Sequence, residues 1–390
     1  MAEYLSRRTV LKGVGAAAFL GASAGSLKFF DTPNQTQNPA DCFAKDVSES
    51  DKRLIISNWP LYIDEDDGKY VSTMTQFEKD TGIKVSYTAD VNDNTDFFAK
   101  VKNQLGSCAS SKRDMFVLTD WMAARMIQVG WIQKLDAAKV PNLHNNIIDS
   151  LKAPKWDAQR EFSAPWQSGL TGIAYNKAKL GKGKEVKSFE ELLTRKDLNG
   201  RISLLQEMRD TMGFMLLIEG ADPANFTDAQ WQKAMERLRK ADGDKQIRAF
   251  TGNDYVQDLS AGNVLAAEAW SGDIANSGDD NLVWIPPEEG IMIWADNMLV
   301  PNLATHQGNA EKWINYYYEP EVAAKLAAYN SYICPVKGAQ QAMEKVDKDQ
   351  VENPLIFPPA ETLAVSHRFM ALDEVKSRKY EGDYSDVTGI

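Results

Sequence analysis

Histidine and cysteine are scarce in this 390-residue chain, with three of each. His144, His306 and His367 make no i, i+4 pair and have no cysteine beside them, so the spacing that a transition-metal site needs is missing. Three cysteines (Cys42, Cys108, Cys334) are too few to staple a fold. In an oxidising compartment two of them could bridge and one would be left over, and the sequence leaves the pair open. No G-x-S-x-G turn marks a serine hydrolase, and no Walker loop is present. Nothing in the sequence would hold a cofactor. The run Asp64-Glu65-Asp66-Asp67-Gly68 looks like a calcium loop, but Gly68 takes a place that a ligand must fill, so it reads as a solvated turn. Basic residues are in deficit, 44 Lys and Arg against 55 Asp and Glu, for a net charge of −11. An acidic surface repels phosphate backbones and sets nucleic acid aside as a partner, while attracting small cations. There are no internal repeats, heptad runs or low-complexity tracts.

What is present suits an ordinary soluble globular protein: 43% hydrophobic and 25% charged residues, with ten tryptophans. The length exceeds the roughly 150 residues of a typical domain, which predicts two lobes. Ser6-Arg7-Arg8-Thr9-Val10-Leu11-Lys12 reads as a twin-arginine signal. The mild apolar stretch behind it, residues 13–27, is shorter than the ~20 residues that cross a bilayer. Ala22-Ser23-Ala24 fits a cleavage site. Residues 1–24 are therefore expected to be a signal peptide and 25–50 a flexible tether, with the protein exported to the periplasm or the outer face of the cytoplasmic membrane. Cys42 follows Pro39-Ala40-Asp41, a poor setting for a lipid anchor.

From residue 53 the pattern predicts an alternation of short apolar strands and helices. Strands are expected at Leu54-Ile55-Ile56, at 83–87 and at 115–118, with helices over 71–81, 94–105 and 120–129 between and after them. Beyond residue 160, strands are expected at 172–175, 202–205, 264–267, 282–285 and 298–301. Helices are expected at 190–194, 212–218, 229–240, 310–318 and 321–329. Strand–helix alternation predicts an α/β fold with parallel sheet. No Pro- or Ser-rich linker separates the two units, so sheet strands themselves should join the lobes.

Aromatic residues and acids recur at the ends of these strands. Trp59 and Tyr62 follow the first strand, and Thr119 and Trp121 the third. Glu207 and Asp210 follow 202–205. Glu268, Trp270 and Asp273 follow 264–267, and Trp294 and Asp296 follow Gly290-Ile291-Met292, each at a strand's end or in the loop just after it. Ligands of open α/β sheets bind beyond the carboxyl ends of the strands. Aromatic faces attract cations and cover methylene chains, and a carboxylate at each end of a slot would hold an ammonium. Taken singly, a Trp is usually core and an acid usually a solvated loop charge; their joint placement points to a flexible chain with an amine at each end.

At these residues the sequence resembles the bacterial periplasmic spermidine/putrescine-binding proteins of ABC importers, over about residues 52–375. The landmarks are Asn58-Trp59 with Tyr62, Phe77-Glu78 before Thr81-Gly82-Ile83-Lys84-Val85, and Gly130-Trp131-Ile132-Gln133-Lys134-Leu135-Asp136. Further on come Glu289-Gly290-Ile291, Trp294-Ala295-Asp296, and Pro320-Glu321-Val322-Ala323 leading to Tyr332. The resemblance implies a monomeric, non-enzymatic two-lobed binding protein with hinge strands and a ligand cleft between the lobes. Lobe I would comprise 51–171 and 296–342, and lobe II 172–295 and 343–390. It would pass a polyamine to ABC permease subunits, with no cofactor and no metal. It implies that Trp59, Tyr62, Thr119 and Trp121 line the slot and that Asp296, beside Trp294, takes one amine. Glu207 and Asp210 would take the other, with Trp270 and Tyr332 as further aromatic walls. The chain departs from the family at Pro60, Leu61 and His367-Arg368-Phe369, where an arginine turned inward would oppose a cation. The same trap could serve another small cation, an opine or a sugar. A secreted hydrolase using Glu207 and Asp210 as a carboxylate pair is the reading from a different class.

Overall fold

Ten strands form one continuous sheet in a computed structural model that describes residues 42–67 and 70–389. They are β1 (Arg53–Asn58), β2 (Lys84–Ala89), β3 (Met115–Thr119), β4 (Ser163–Asn176), β5 (Ile202–Leu205), β6 (Ile247–Thr251), β7 (Ala266–Trp270), β8 (Leu282–Ile285), β9 (Ile291–Leu299) and β10 (Ser366–His367). The order is β2-β1-β3-β9-β4-β7-β5-β6, with β10 on β9 and β8 on β4. β1 runs parallel to β2 and β3, and β5 parallel to β6 and β7, as strand–helix–strand units require.

Local chemistry explains the helices between these strands. Ser72 caps helix Thr73–Thr81 by accepting from Thr75 N, and Gly82 ends it at φ +69°, where a residue without a Cβ bears no steric cost. Asp93 caps helix Asn94–Gly106 by accepting from Asp96 N.

The expected joining of the two units by sheet strands is what the register displays. β4 is fourteen residues long and buried throughout. Its first part, through Thr171, pairs antiparallel with β9, and its last part, from Thr171 to Asn176, pairs with β7 and β8. β9 in turn pairs with β3 through its last four residues, Asp296 to Leu299. The two long strands thus run from one α/β unit into the other. Each unit has its own apolar core: one around Phe77, Phe116, Trp131, Trp166 and Trp313, the other around Phe189, Phe214, Trp231 and Tyr380. Stacked rings tie each core together, Trp166 on Tyr317 at 5.0 Å and Trp231 on Tyr380 at 4.1 Å.

Several expectations are corrected. Residues 294–296 lie in the middle of β9 rather than past its end, and the separate strand expected at 298–301 is the end of the same element. A tryptophan and an acid broke the apolar run on the page, but both find partners inside the sheet. Trp270 and Glu268 likewise lie within β7, which begins two residues later than expected. β6, helix Tyr255–Ala261 and helix Glu374–Thr388 went unpredicted; the last carries polar residues on most faces and is held by Tyr380 and Tyr384. Asp64 is not solvated. It is 1% exposed and accepts from Thr73 and Tyr70.

Cys42 and Cys108 form a disulfide with Cα atoms 5.5 Å apart, and Cys334 is free and buried. Residues 42–50 fall in the expected tether, yet they are fastened: Val47 N donates to Thr305 O, and Ser48 Oγ accepts from Asn309 N. The twin-arginine signal and its cleavage site lie outside the described residues. Among the described residues no helix is long and apolar enough to cross a membrane.

Candidate ligand-binding site

The carboxyl ends of β1, β2, β3, β5, β6 and β7 converge with the middle of β9 on one cavity. Its empty space is about 520 Å³ with the mouth included, and five aromatic rings (Trp59, Tyr62, Trp270, Trp294 and Tyr332) wall it. The space is therefore a slot rather than a chamber. Nine of the ten residues expected at the site line it: Trp59, Tyr62 and Thr119 from the first unit, Glu207, Asp210 and Trp270 from the second, and Trp294, Asp296 and Tyr332.

The aromatic walls contact one another edge to face. Trp59 meets Trp270 at 6.4 Å, Trp270 meets Trp294 at 6.4 Å, Trp294 meets Tyr332 at 5.5 Å, and Tyr332 meets Tyr62 at 5.4 Å. Glycines make this possible. A Cβ at Gly272 would stand 2.5 Å from the Tyr332 ring, and one at Gly169 would fall inside the Trp294 indole. Tyr332 is further fixed because its hydroxyl donates to Asp273 Oδ1 at 2.8 Å, while Tyr255 and Asn253 hold the other oxygen of that acid, each at 2.8 Å.

Asp296 is 2% exposed and lies in β9 opposite Thr119 of β3. The Thr119 hydroxyl donates to its Oδ1 at 2.7 Å and the Tyr62 hydroxyl to its Oδ2 at 2.8 Å. Burial nonetheless outweighs these donors and pushes its pKa up to about 7. Asp210 accepts from Trp270 Nε1 at 3.0 Å and from Thr171, and burial pushes it up to about 6. Glu207 caps helix Met208–Ile218, and burial raises its pKa despite Arg209 nearby. It is the cap of that helix and Asp210 lies in the first turn, near enough that the Asp210 charge adds to the rise of the Glu207 pKa.

Trp121 does not line the slot. Its ring carries the Arg209 guanidinium, 3.4 Å from the ring centroid, and that arginine bonds Glu381 at 2.9 Å. Arg368 does not line it either; it pairs with Asp120 at 3.3 Å, which answers the concern about an inward cation. Lining residues that the sequence reading missed are Asn92, Asp93, Asn94, Gln206, Gly252 and Asn253. The available signal was their position: Asn92-Asp93-Asn94 opens a helix just past a strand end, and Gly252-Asn253 follows the unpredicted β6.

Residues 72–355 match the family model of bacterial extracellular solute-binding proteins. The chain belongs to that family. Among similar proteins is a putrescine/agmatine-binding protein of Pseudomonas aeruginosa, 30% identical over 75% of this chain and 81% of its own. Another is the putrescine-binding periplasmic protein PotF of Escherichia coli, 29% identical over 91% of this chain and 90% of its own. A solved structure of a candidate spermidine/putrescine ABC transporter from Listeria monocytogenes superposes with a TM-score of 0.74 at 26% identity, covering 86% of this chain and 98% of that one. The fold is thus the two-lobed periplasmic-binding-protein architecture, with β4 and β9 as the hinge strands and the slot as the interlobe cleft.

Proposed function

We propose that this solute-binding protein captures a polyamine by closure of its two lobes and delivers it to the membrane permease of an ABC importer. The observation that supports this reading is a narrow aromatic slot lined by three carboxylates held out of bulk water, Asp296 on β9 and Glu207 and Asp210 just past β5. Rings on the walls would cover the methylenes, and carboxylates would take the terminal ammoniums. Curated relatives named for putrescine and spermidine add support. Lobe I is assigned to 51–171 and 296–342 and lobe II to 172–295 and 343–390, because β4 and β9 change neighbours near those points. The chain acts outside the cytoplasm as a monomer, carried there by the twin-arginine route, and catalyses no reaction. Trp121 serves by seating Arg209 rather than by touching ligand.

Isothermal titration of the full chain with putrescine, spermidine, spermine and a neutral disaccharide tests the reading. One-to-one binding of a polyamine with no response to the sugar is expected. Binding of the sugar alone would replace the reading with a saccharide receptor.

A further inference from the structure

The slot carries an acid, Asp93, that is not among the site residues the family resemblance implies. Asp93 lines the slot on the loop after β2, and Glu207 lines it on the loop after β5. Asp93 Oδ1 accepts from Asp96 N at 2.9 Å as a helix cap, and no side-chain donor is seen on either of its oxygens among the described residues. Asn94, the next residue, donates to Glu207 Oε2 at 3.2 Å, so the two loops meet across the cleft. Beside them, Gly252 lies under Asn92: a Cβ there would be 3.4 Å from the Asn92 carbonyl oxygen. Asn253 donates its amide to Asp273, which leaves its side-chain oxygen buried and without a donor among the described residues. Two carboxylates and one orphaned carbonyl oxygen therefore lie together in the slot, all acceptors; no lining residue is a cation, and Arg209 behind the lining stands 3.8 Å from Glu207 Oε1, leaving Oε2 toward Asn94.

Distance limits what can bridge the ends. Asp296 Oδ1, Thr119 Oγ1, Asn94 Nδ2 and Glu207 Oε2 form one chain of hydrogen bonds of 2.7, 2.8 and 3.2 Å through shared atoms. The two carboxylates thus stand no more than about 9 Å apart. The nitrogens of an extended four-carbon diamine are about 6 Å apart, and those at the two ends of an aminopropyl-extended triamine about 11 Å. With an N–O contact of about 2.8 Å at each end, the diamine bridges this pair with both of its primary ammoniums, whereas an extended triamine overshoots it or uses its inner secondary amine and leaves one ammonium over.

We propose that Asp93 and Glu207, with the Asn253 side-chain oxygen, grip the second ammonium of a short α,ω-diamine whose first ammonium rests on Asp296. This rests on the polyamine reading above and narrows it. Asp93 belongs to lobe I and Glu207 to lobe II, so the ammonium is what draws two mutually repelling acids together. Removing one leaves the other charge to be neutralised alone, and a monoamine leaves both unpaired.

The test is titration at pH 8 of wild type, Asp93→Ser and Asp93→Asn with putrescine, spermidine and butylamine. Ser and Asn both cap helices, so the fold is kept, which thermal unfolding checks, and either variant suffices if the other unfolds. Wild type should bind putrescine more tightly than spermidine and at least 100-fold more tightly than butylamine. Each variant should lose at least tenfold in putrescine affinity while butylamine changes less than twofold. Putrescine affinity within twofold of wild type in a folded variant overturns the proposal, as does a wild type that prefers spermidine; in both cases the polyamine reading stands. A wild type that binds none of the three amines overturns both.

Discussion

Asp296 receives two hydroxyl donors, from Tyr62 just past β1 and from Thr119 at the end of β3, the strand that β9 pairs with there. Asp93 and Glu207, on the loops after β2 and β5, repel each other and share one bridging amide, that of Asn94 with Glu207. On the closure proposed above, the first site stands ready before any ligand arrives and the second is completed as the lobes meet. A binding protein needs both kinds of site. A preformed anchor captures the ligand, and a divided site gives the closed state an affinity that the open state lacks. The aromatic ring system spans the two ends, with Trp59 and Trp270 in edge contact across the cleft.

Asp296→Asn should break this contrast most severely. The anchor loses its charge but keeps its shape, and putrescine affinity should fall about 200- to 5,000-fold, the ~3–5 kcal/mol of a broken buried pair. Ligand-free stability should move the opposite way. Asp296 titrates at about 7 when folded against an ordinary value of 3.8, so the folded state holds its proton more tightly. Stability from this group is therefore fully present near pH 4 and is lost as pH rises through 7. At pH 8 the asparagine variant should melt a few degrees above ligand-free wild type, at pH 5 the gap should be smaller, and near pH 4 it should close. A variant that melts lower at both pH values would show that Asp296 is structural.

The pH dependence of binding comes next. Asp296 at about 7 and Asp210 at about 6, together with Glu207 and Asp93, both raised by burial, must give up protons to pair with a dication. Putrescine affinity should fall at least tenfold from pH 8 to pH 6, and binding at pH 7 should release protons. Titration in buffers of different ionisation enthalpy measures that release. In Asp93→Ser the release should shrink while the Asp296 contribution persists. A flat profile between pH 8 and 6 would mean that the slot is already fully ionised without ligand.

The alternation of short apolar runs and helix caps made the α/β class and the first three strands readable to within a residue or two. Gly82, an unambiguous stop, is where the first helix ends. Legibility failed where tertiary contacts supply what local chemistry denies. Asp296 inside β9 looks like a strand breaker until Tyr62, 234 positions away, donates to it. The helix Glu374–Thr388 has little apolar periodicity and is held by two tyrosines buried in the second core. In the site, tryptophans next to acids at strand ends were conspicuous. Asp93 and Asn253 were not, because an Asp or Asn beside a helix start reads as an ordinary cap or turn. Trp121 misled for the converse reason: nothing local reveals that Arg209, from the other lobe, lies on its ring.

Tyr62→Phe should have the smallest effect and separates the anchor's charge from the way it is held. The ring and its edge contact with Tyr332 at 5.4 Å survive, and only the hydroxyl that donates to Asp296 Oδ2 is lost. That donor favours the ionised carboxylate, so without it the Asp296 pKa should climb above its present value of about 7. At pH 8 putrescine affinity should drop about three- to tenfold, the ~1 kcal/mol of one hydrogen bond to a charged group offset in part by the ligand's own donors. The pH midpoint of binding should shift upward, so that wild type and variant draw closer at pH 9 and separate at pH 7. The Asp93 end should be untouched, leaving the ratio of putrescine to butylamine affinity unchanged at high pH. A variant that loses that ratio as well would mean that the two ends are coupled through the Thr119–Asn94 chain, and that the anchor's donors also position the acid across the cleft.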